Sequence, residues 1–145
     1  MIDTTNAAYG AALLRVTLGV AALAHGLVLK VFTFGIAGTV GFFESIGYPA
    51  AFAYAVLFGE IAGGIALITG VYARTAALLM VPILIGAALQ HAPNGWVFNA
   101  TGGGWEYPVF WAVASLASAL IGPGAFALKL NFLPSEPFFA QAQRS

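Results

Sequence analysis

The chain has 145 residues, of which 61% are apolar and 7% charged, with five basic and five acidic side chains and no cysteine. A soluble domain carries about 25% charged residues, so a mean hydropathy of +0.92 excludes an ordinary water-facing surface and makes a bilayer the expected solvent. A formal charge of zero with scattered basic residues excludes a nucleic-acid groove, and the absence of cysteine excludes disulfide scaffolds, thiolate metal sites, iron–sulfur ligation and dithiol relays.

Runs of about 20 apolar residues, the length that crosses roughly 30 Å of hydrocarbon, predict an all-α integral membrane protein. The expected fold is a four-transmembrane-helix antiparallel bundle with an interfacial amphipathic helix in the first outer loop. Residues 1–128 form the membrane domain, and residues 129–145 an extended C-terminal tail. Met1 to Gly10 lacks the basic segment and cleavage site of a secretory signal, so the first apolar run, Ala11 to Leu29, reads as a permanent span. Between Lys30 and Pro49, Ile36, Val40, Phe43 and Ile46 recur at intervals of three and four behind Phe32 and Phe34, the pattern of a helix lying in the interface. The second span runs from Ala50 to Gly70. The tight turn Gly70-Val71-Tyr72-Ala73-Arg74 joins it to the third, Thr75 to Gln90, in which Pro82 is tolerable where neighbours satisfy the freed carbonyl. The loop from His91 to Tyr107 mixes turn formers with Trp96, Trp105 and Tyr107, interfacial aromatics expected to form belts around a folded cap. The fourth span is Pro108 to Ile121, and after Gly122-Pro123-Gly124 the tail holds Pro134 and Pro137 and only short apolar patches. Arg15, Arg74, Lys129 and Arg144 fall on one side against Lys30 on the other, which predicts cytoplasmic termini in the cell inner (plasma) membrane. The two long loops are then outer, and function is expected there.

Ionisable groups at membrane depth cost roughly 2.5–3.5 kcal/mol each on insertion scales and face the bundle interior with partners. Arg15 and His25 lie ten residues apart, about 80° around a helix and about 15 Å along it. Glu60 falls between their depths, so either can reach it. An Arg15–Glu60 pair would fix helix register or serve a substrate. His25 is either bonded to a carbonyl or a proton shuttle. Small-residue stripes, Gly59, Gly63, Gly64 and Gly70 on the second span and Ala112, Ser115, Ala119 and Gly122 on the fourth, favour close helix approach. His91, Gln90, Glu106, Lys30 and Glu44 gather at the outer end, where His91 and Glu106 either anchor loops or guard a pocket. Haem held between His25 and His91, or zinc or non-haem iron held by His25, Glu60, His91 and Glu106, is not expected, because two histidines at this spacing are an unspecific signal.

The order of motifs adds to this reading. Leu14-Arg15 with Gly19 is followed by His25-Gly26 and Lys30, then by Phe42-Phe43-Glu44-Ser45-Ile46-Gly47-Tyr48-Pro49 and Glu60-Ile61-Ala62-Gly63-Gly64. After the Gly70–Arg74 turn come His91-Ala92-Pro93-Asn94-Gly95-Trp96 and Gly102-Gly103-Gly104-Trp105-Glu106-Tyr107-Pro108. This ordered set resembles the DoxX family over residues of roughly 11 to 128. In many relatives the lysine follows the histidine by four positions, whereas Lys30 follows His25 by five. The resemblance implies a small four-helix membrane protein associated with quinone redox chemistry, named after a subunit of an archaeal terminal quinol oxidase and with relatives linked to thiosulfate:quinone oxidoreduction and oxidative stress.

Two function classes follow. The first is a quinone- or quinol-interacting subunit of a membrane oxidoreductase system, with His25 and Glu60 as the catalytic pair and Arg15, His91, Glu106 and Lys30 around the substrate. No electron carrier is encoded, so a protein partner or a homo-oligomer is expected beside the lipid bilayer and the lipid-soluble ligand. The second is a non-enzymatic membrane scaffold, or a small carrier for a hydrophobic or weakly acidic solute.

Overall fold

The first apolar run begins earlier and ends later than its composition suggests. A computed structural model describes residues 4–136, in which α1 (Thr4–Leu23) continues without a break into a π-helical segment, Ala24–Thr33. The apolar stretch Asn6–Thr33 is 28 residues long, about 42 Å at the α-helical rise, so it extends beyond the hydrocarbon or crosses it at a tilt. The expected first-loop helix is α2 (Gly35–Ser45). The second and third spans are α3 (Ala50–Thr69) and α4 (Ala73–His91), and a single 3-10 turn, Ala92–Asn94, leads into the second loop before α5 (Glu106–Ile121). There is no strand among the described residues. Arg144 and the tail from 137 onward lie outside the described residues.

Three helical stretches, Asn6–Thr33, Ala50–Thr69 and Ala73–Asn94, are long and apolar enough to cross a membrane. Helix α5, with 16 residues, spans about 24 Å and by its own length falls short of the hydrocarbon thickness. The α3–α4 turn is tight because Gly70, at φ +83°, takes the left-handed conformation that closes a helix, its N–H donating to Ala66 O at 2.9 Å.

Side chains are sorted as in a protein whose solvent is lipid. Leu13, Phe58, Leu79, Phe110 and Leu120 point outward, whereas the buried core is built from Leu18, Ala22, Leu67, Ala76, Ala77, Met80, Leu84, Trp111, Ala112 and Ala119. α1 packs on α3, α3 on α4 and α4 on α5. The α1–α3 contact is backbone against backbone: a Cβ on Gly19 would sit 2.8 Å from Gly64 O, and one on Gly64 would sit 2.9 Å from Gly19 O. The glycines of α3 therefore serve two interfaces. Gly64 admits α1, while Gly59 and Gly63 face Ile83 and Met80 of α4. On α5, Ala112, Ser115 and Ala119 are buried in the bundle.

The segment after α5 lies across the ends of the helices. Ala125 N–H donates to Ala8 O and Leu128 N–H to Thr69 O, each at 2.9 Å. Tyr72 Oη donates to Pro134 O at 2.8 Å, and the buried Glu136 carboxylate accepts from Thr75 N–H at 2.7 Å. A carboxylate at the N-terminus of α4 satisfies an amide that has no partner within the helix and complements the helix dipole.

Candidate functional site

Lys30 follows His25 by five positions, and the helix that carries them is wound to match. In a π-helix the hydrogen bonds run from i to i+5, so residues five apart lie one above the other where an α-helix would place them on different faces. One extra residue in the turn thus keeps His25 and Lys30 on the same side. Gly26, on the same segment, brings the backbone against α3: a Cβ there would stand 2.9 Å from Glu60 Cβ. Lys30 Nζ then reaches both carboxylate oxygens of Glu60, at 2.8 and 2.7 Å. Both side chains are largely removed from solvent, with 16% of Lys30 and 7% of Glu60 accessible.

The ion pair and His25 line a cavity of about 1340 Å³ between the π-segment, α2, α3, α4 and the start of α5. Its walls are mainly apolar and aromatic, including Phe42, Phe43, Phe52 and Trp111. His25 lies with its ring 6.3 Å from Tyr107 and 5.0 Å from Trp111, so its orientation is set by aromatic neighbours. Its Nδ1 is 3.0 Å from Ala21 O. A carbonyl only accepts, so Nδ1 carries the proton and Nε2 is left to accept a hydrogen bond or take up a proton. The cavity thus holds a cation, an anion and a proton-exchanging ring in apolar surroundings, the setting in which few polar groups orient a lipid-soluble ligand.

Of the six residues singled out from the sequence, His25, Lys30, Glu60 and His91 line this cavity, whereas Arg15 and Glu106 do not. The expected Arg15–Glu60 pair is replaced by Lys30–Glu60. Arg15, 1% exposed, points to the opposite end of α3. There its Nη1 donates to Leu67 O and Ile68 O, its Nε to Pro123 O at 2.8 Å and its Nη2 to Ala125 O at 3.2 Å. The last carbonyls of a helix have no partner inside it, and a guanidinium is the side chain that can serve four acceptors in fixed directions. Arg15 therefore fastens α1, the end of α3 and the segment after α5 to one another. Arg15→Lys is expected to lower the thermal unfolding temperature by the equivalent of about 2–4 kcal/mol, since one ammonium cannot reach all four carbonyls. An unchanged melting temperature in detergent would remove this role.

Glu106 and His91 hold the loop between α4 and α5. Glu106 Oε2 accepts from Phe98 N–H at 3.2 Å, and His91 Nδ1 donates to Gly102 O at 3.0 Å, where Asn94 Nδ2 also donates. Trp96 packs edge-on against Trp105, with ring centres 4.4 Å apart. His91 does this while also lining the cavity. Tyr107 and Trp111, read from the sequence as interfacial or unremarked, stand beside His25. Tyr48 and Thr39 join the lining, Tyr48 within 3.3 Å of Gln90 Nε2. Tyr48, just ahead of α3, and Thr39, in the middle of α2, stand in no sequence pattern that marks them as cavity residues. Among the described residues no three His, Asp or Glu side chains converge as metal ligands would.

The DoxX family model matches residues 10–100 of the chain. The chain is also 39% identical, over 139 residues, to a protein of Bacillus subtilis (strain 168) named "Putative oxidoreductase CatD", an alignment that covers 94% of this chain and 91% of that relative. No solved structure matches.

Proposed function

Because the chain belongs to the DoxX family and is a multi-pass membrane protein with three long apolar helices, we propose that it is a redox-associated subunit that binds a lipid-soluble quinone in the outer cavity. The observation that carries this reading is the Lys30–Glu60 pair with His25 on the wall of a large, mainly apolar cavity. The name of the Bacillus subtilis relative agrees with redox chemistry.

A quinone ring converts to the diol by taking up two electrons and two protons, so its site needs an apolar slot, donors to the carbonyls and groups that exchange protons. A cavity of about 1340 Å³ exceeds the roughly 300–1,000 Å³ of ordinary small-molecule sites, leaving room for a ring and part of an alkyl tail. Lys30 binds one carbonyl by its remaining ammonium donor. His25 gives and takes a proton at Nε2 while Nδ1 stays on Ala21 O, and Glu60 relays that proton. His91 stands at the outer opening. The electrons come from a protein partner or a second substrate, because the chain encodes no carrier of its own. In this reading α5 and the residues flanking it form a fourth span, α2 lies in the outer interface, and the termini are cytoplasmic at the inner membrane, with Arg15, Arg74 and Lys129 on that side.

Mass spectrometry of an organic extract from gently purified protein, set against bulk lipid of the same membranes, tests the assignment. Quinone near one molecule per chain, lost in a folded His25→Ala variant, is the expected result. Retention of bulk phospholipid alone would overturn it in favour of a scaffold or solute carrier.

A further inference from the structure

Lysine has a long, flexible stem that loses rotamer freedom when its head is fixed, so an ammonium held on both oxygens of a carboxylate needs its own main chain held firmly. Lys30 lies in the last turn of the π-segment, where carbonyls run out of partners within the helix. Thr39 supplies one from another element. Its Oγ1 donates to Lys30 O at 2.9 Å, across nine positions and from the middle of α2. Thr33, Ser45 and Thr69 instead donate within their own helices, to Val28 O, Phe42 O and Ile65 O. Thr39 is buried, at 5% exposure, and lines the cavity. Lys30 is therefore gripped at both ends, by α2 through its carbonyl and by α3 through its ammonium.

We propose that Thr39 is the positioning residue for Lys30, and that the Thr39 hydroxyl, by holding the Lys30 carbonyl, keeps the ammonium on Glu60 and makes α2 part of the site. This rests on the reading of the Lys30–Glu60 pair as the functional centre, but its test needs no quinone. An ammonium seated on a carboxylate has no lone pair with which to attack an acylating reagent; a released one exchanges its proton and reacts. The chain has two lysines, Lys30 and Lys129, and Lys129 is exposed, so it serves as a reference within the same molecule.

Full-length protein in native membrane vesicles is treated with a membrane-permeant acetylating ester, and acetylation at the two lysines is compared by peptide mass spectrometry. Thr39→Val, which keeps the shape and removes the donor, is expected to raise the Lys30-to-Lys129 ratio roughly threefold to tenfold, the change in an opening equilibrium that loss of one such hydrogen bond gives. Thr39→Ser restores the donor and should return the ratio to that of the unmodified chain. An unchanged ratio in Thr39→Val overturns the proposal. So does a serine variant that behaves like the valine one, because methyl packing and not the hydroxyl would then hold Lys30. Should the valine variant not accumulate, Thr39→Ala against Thr39→Ser is scored by the same criteria. If purified protein retains no quinone while Thr39→Val and Thr39→Ser give the expected acetylation ratios, the quinone reading falls and this one stands.

Discussion

Glu60→Gln is expected to destabilise the protein by about 3–5 kcal/mol, the cost of leaving one member of a buried ion pair without its partner, and to abolish quinone retention. Lys30 Nζ would keep at most one acceptor where it now has two carboxylate oxygens at 2.8 and 2.7 Å, in surroundings where an uncompensated charge has no water to turn to. Thermal unfolding in detergent, followed by circular dichroism, measures the first effect, and extraction of bound quinone the second. The double replacement Lys30→Met with Glu60→Leu separates the two. Exchanging a whole buried pair for apolar groups of similar volume is often neutral or stabilising, so this variant should recover its melting temperature while remaining empty of quinone. Recovery of both would make the pair a structural fastener, and recovery of neither would mean that the cavity wall itself had collapsed.

Composition carried the helices, because apolar runs bounded by Gly70 and Pro49 have few alternatives in lipid. The interval of three and four among Ile36, Val40 and Phe43 likewise led to α2. What the sequence could not supply was the partner of Glu60. Helical periodicity at 100° per residue holds for Arg15, which lies on α1, but fails from Ala24 onward, where the winding becomes π. The azimuth of Lys30 therefore escapes a helical wheel. Depth was the second missing quantity. Antiparallel register is set by Gly19 meeting Gly64 and Gly26 meeting Glu60, which carries Arg15 past Glu60 to the carbonyls of Leu67 and Ile68. No local pattern encodes that register, since it arises from two glycines 45 positions apart that must both lack a side chain. The segment after α5 was opaque for a related reason. Its contacts with Ala8, Thr69, Tyr72 and Thr75 are made by main chain or by one carboxylate, groups that leave no periodic trace.

The same register leads to a matched pair of alanine substitutions whose signs should differ. In a helix interior, replacing glycine by alanine gains up to about 1 kcal/mol from propensity alone, and what the new methyl meets decides the rest. At Gly63 it would lie 3.2 Å from Met80 Sδ, the middle of a long, flexible side chain that can shift by a few tenths of an ångström. Gly63→Ala should therefore be neutral or slightly stabilising. At Gly64 it would lie 2.9 Å from Gly19 O and 3.1 Å from Leu23 N, backbone atoms that move only if α1 moves with them. Overpacking of this kind costs about 1–3 kcal/mol, so Gly64→Ala should lose stability despite its gain in propensity. The loss should also reach the cavity. Pushing α1 off α3 at Gly64 draws Gly26 away from Glu60, about one turn further along α3, and lengthens the reach that Lys30 must make. Quinone retention should therefore fall in Gly64→Ala and persist in Gly63→Ala. Equal melting temperatures for the two variants would show that α1 and α3 do not touch through bare backbone, and the placement of Lys30 on Glu60 would lose its mechanical basis.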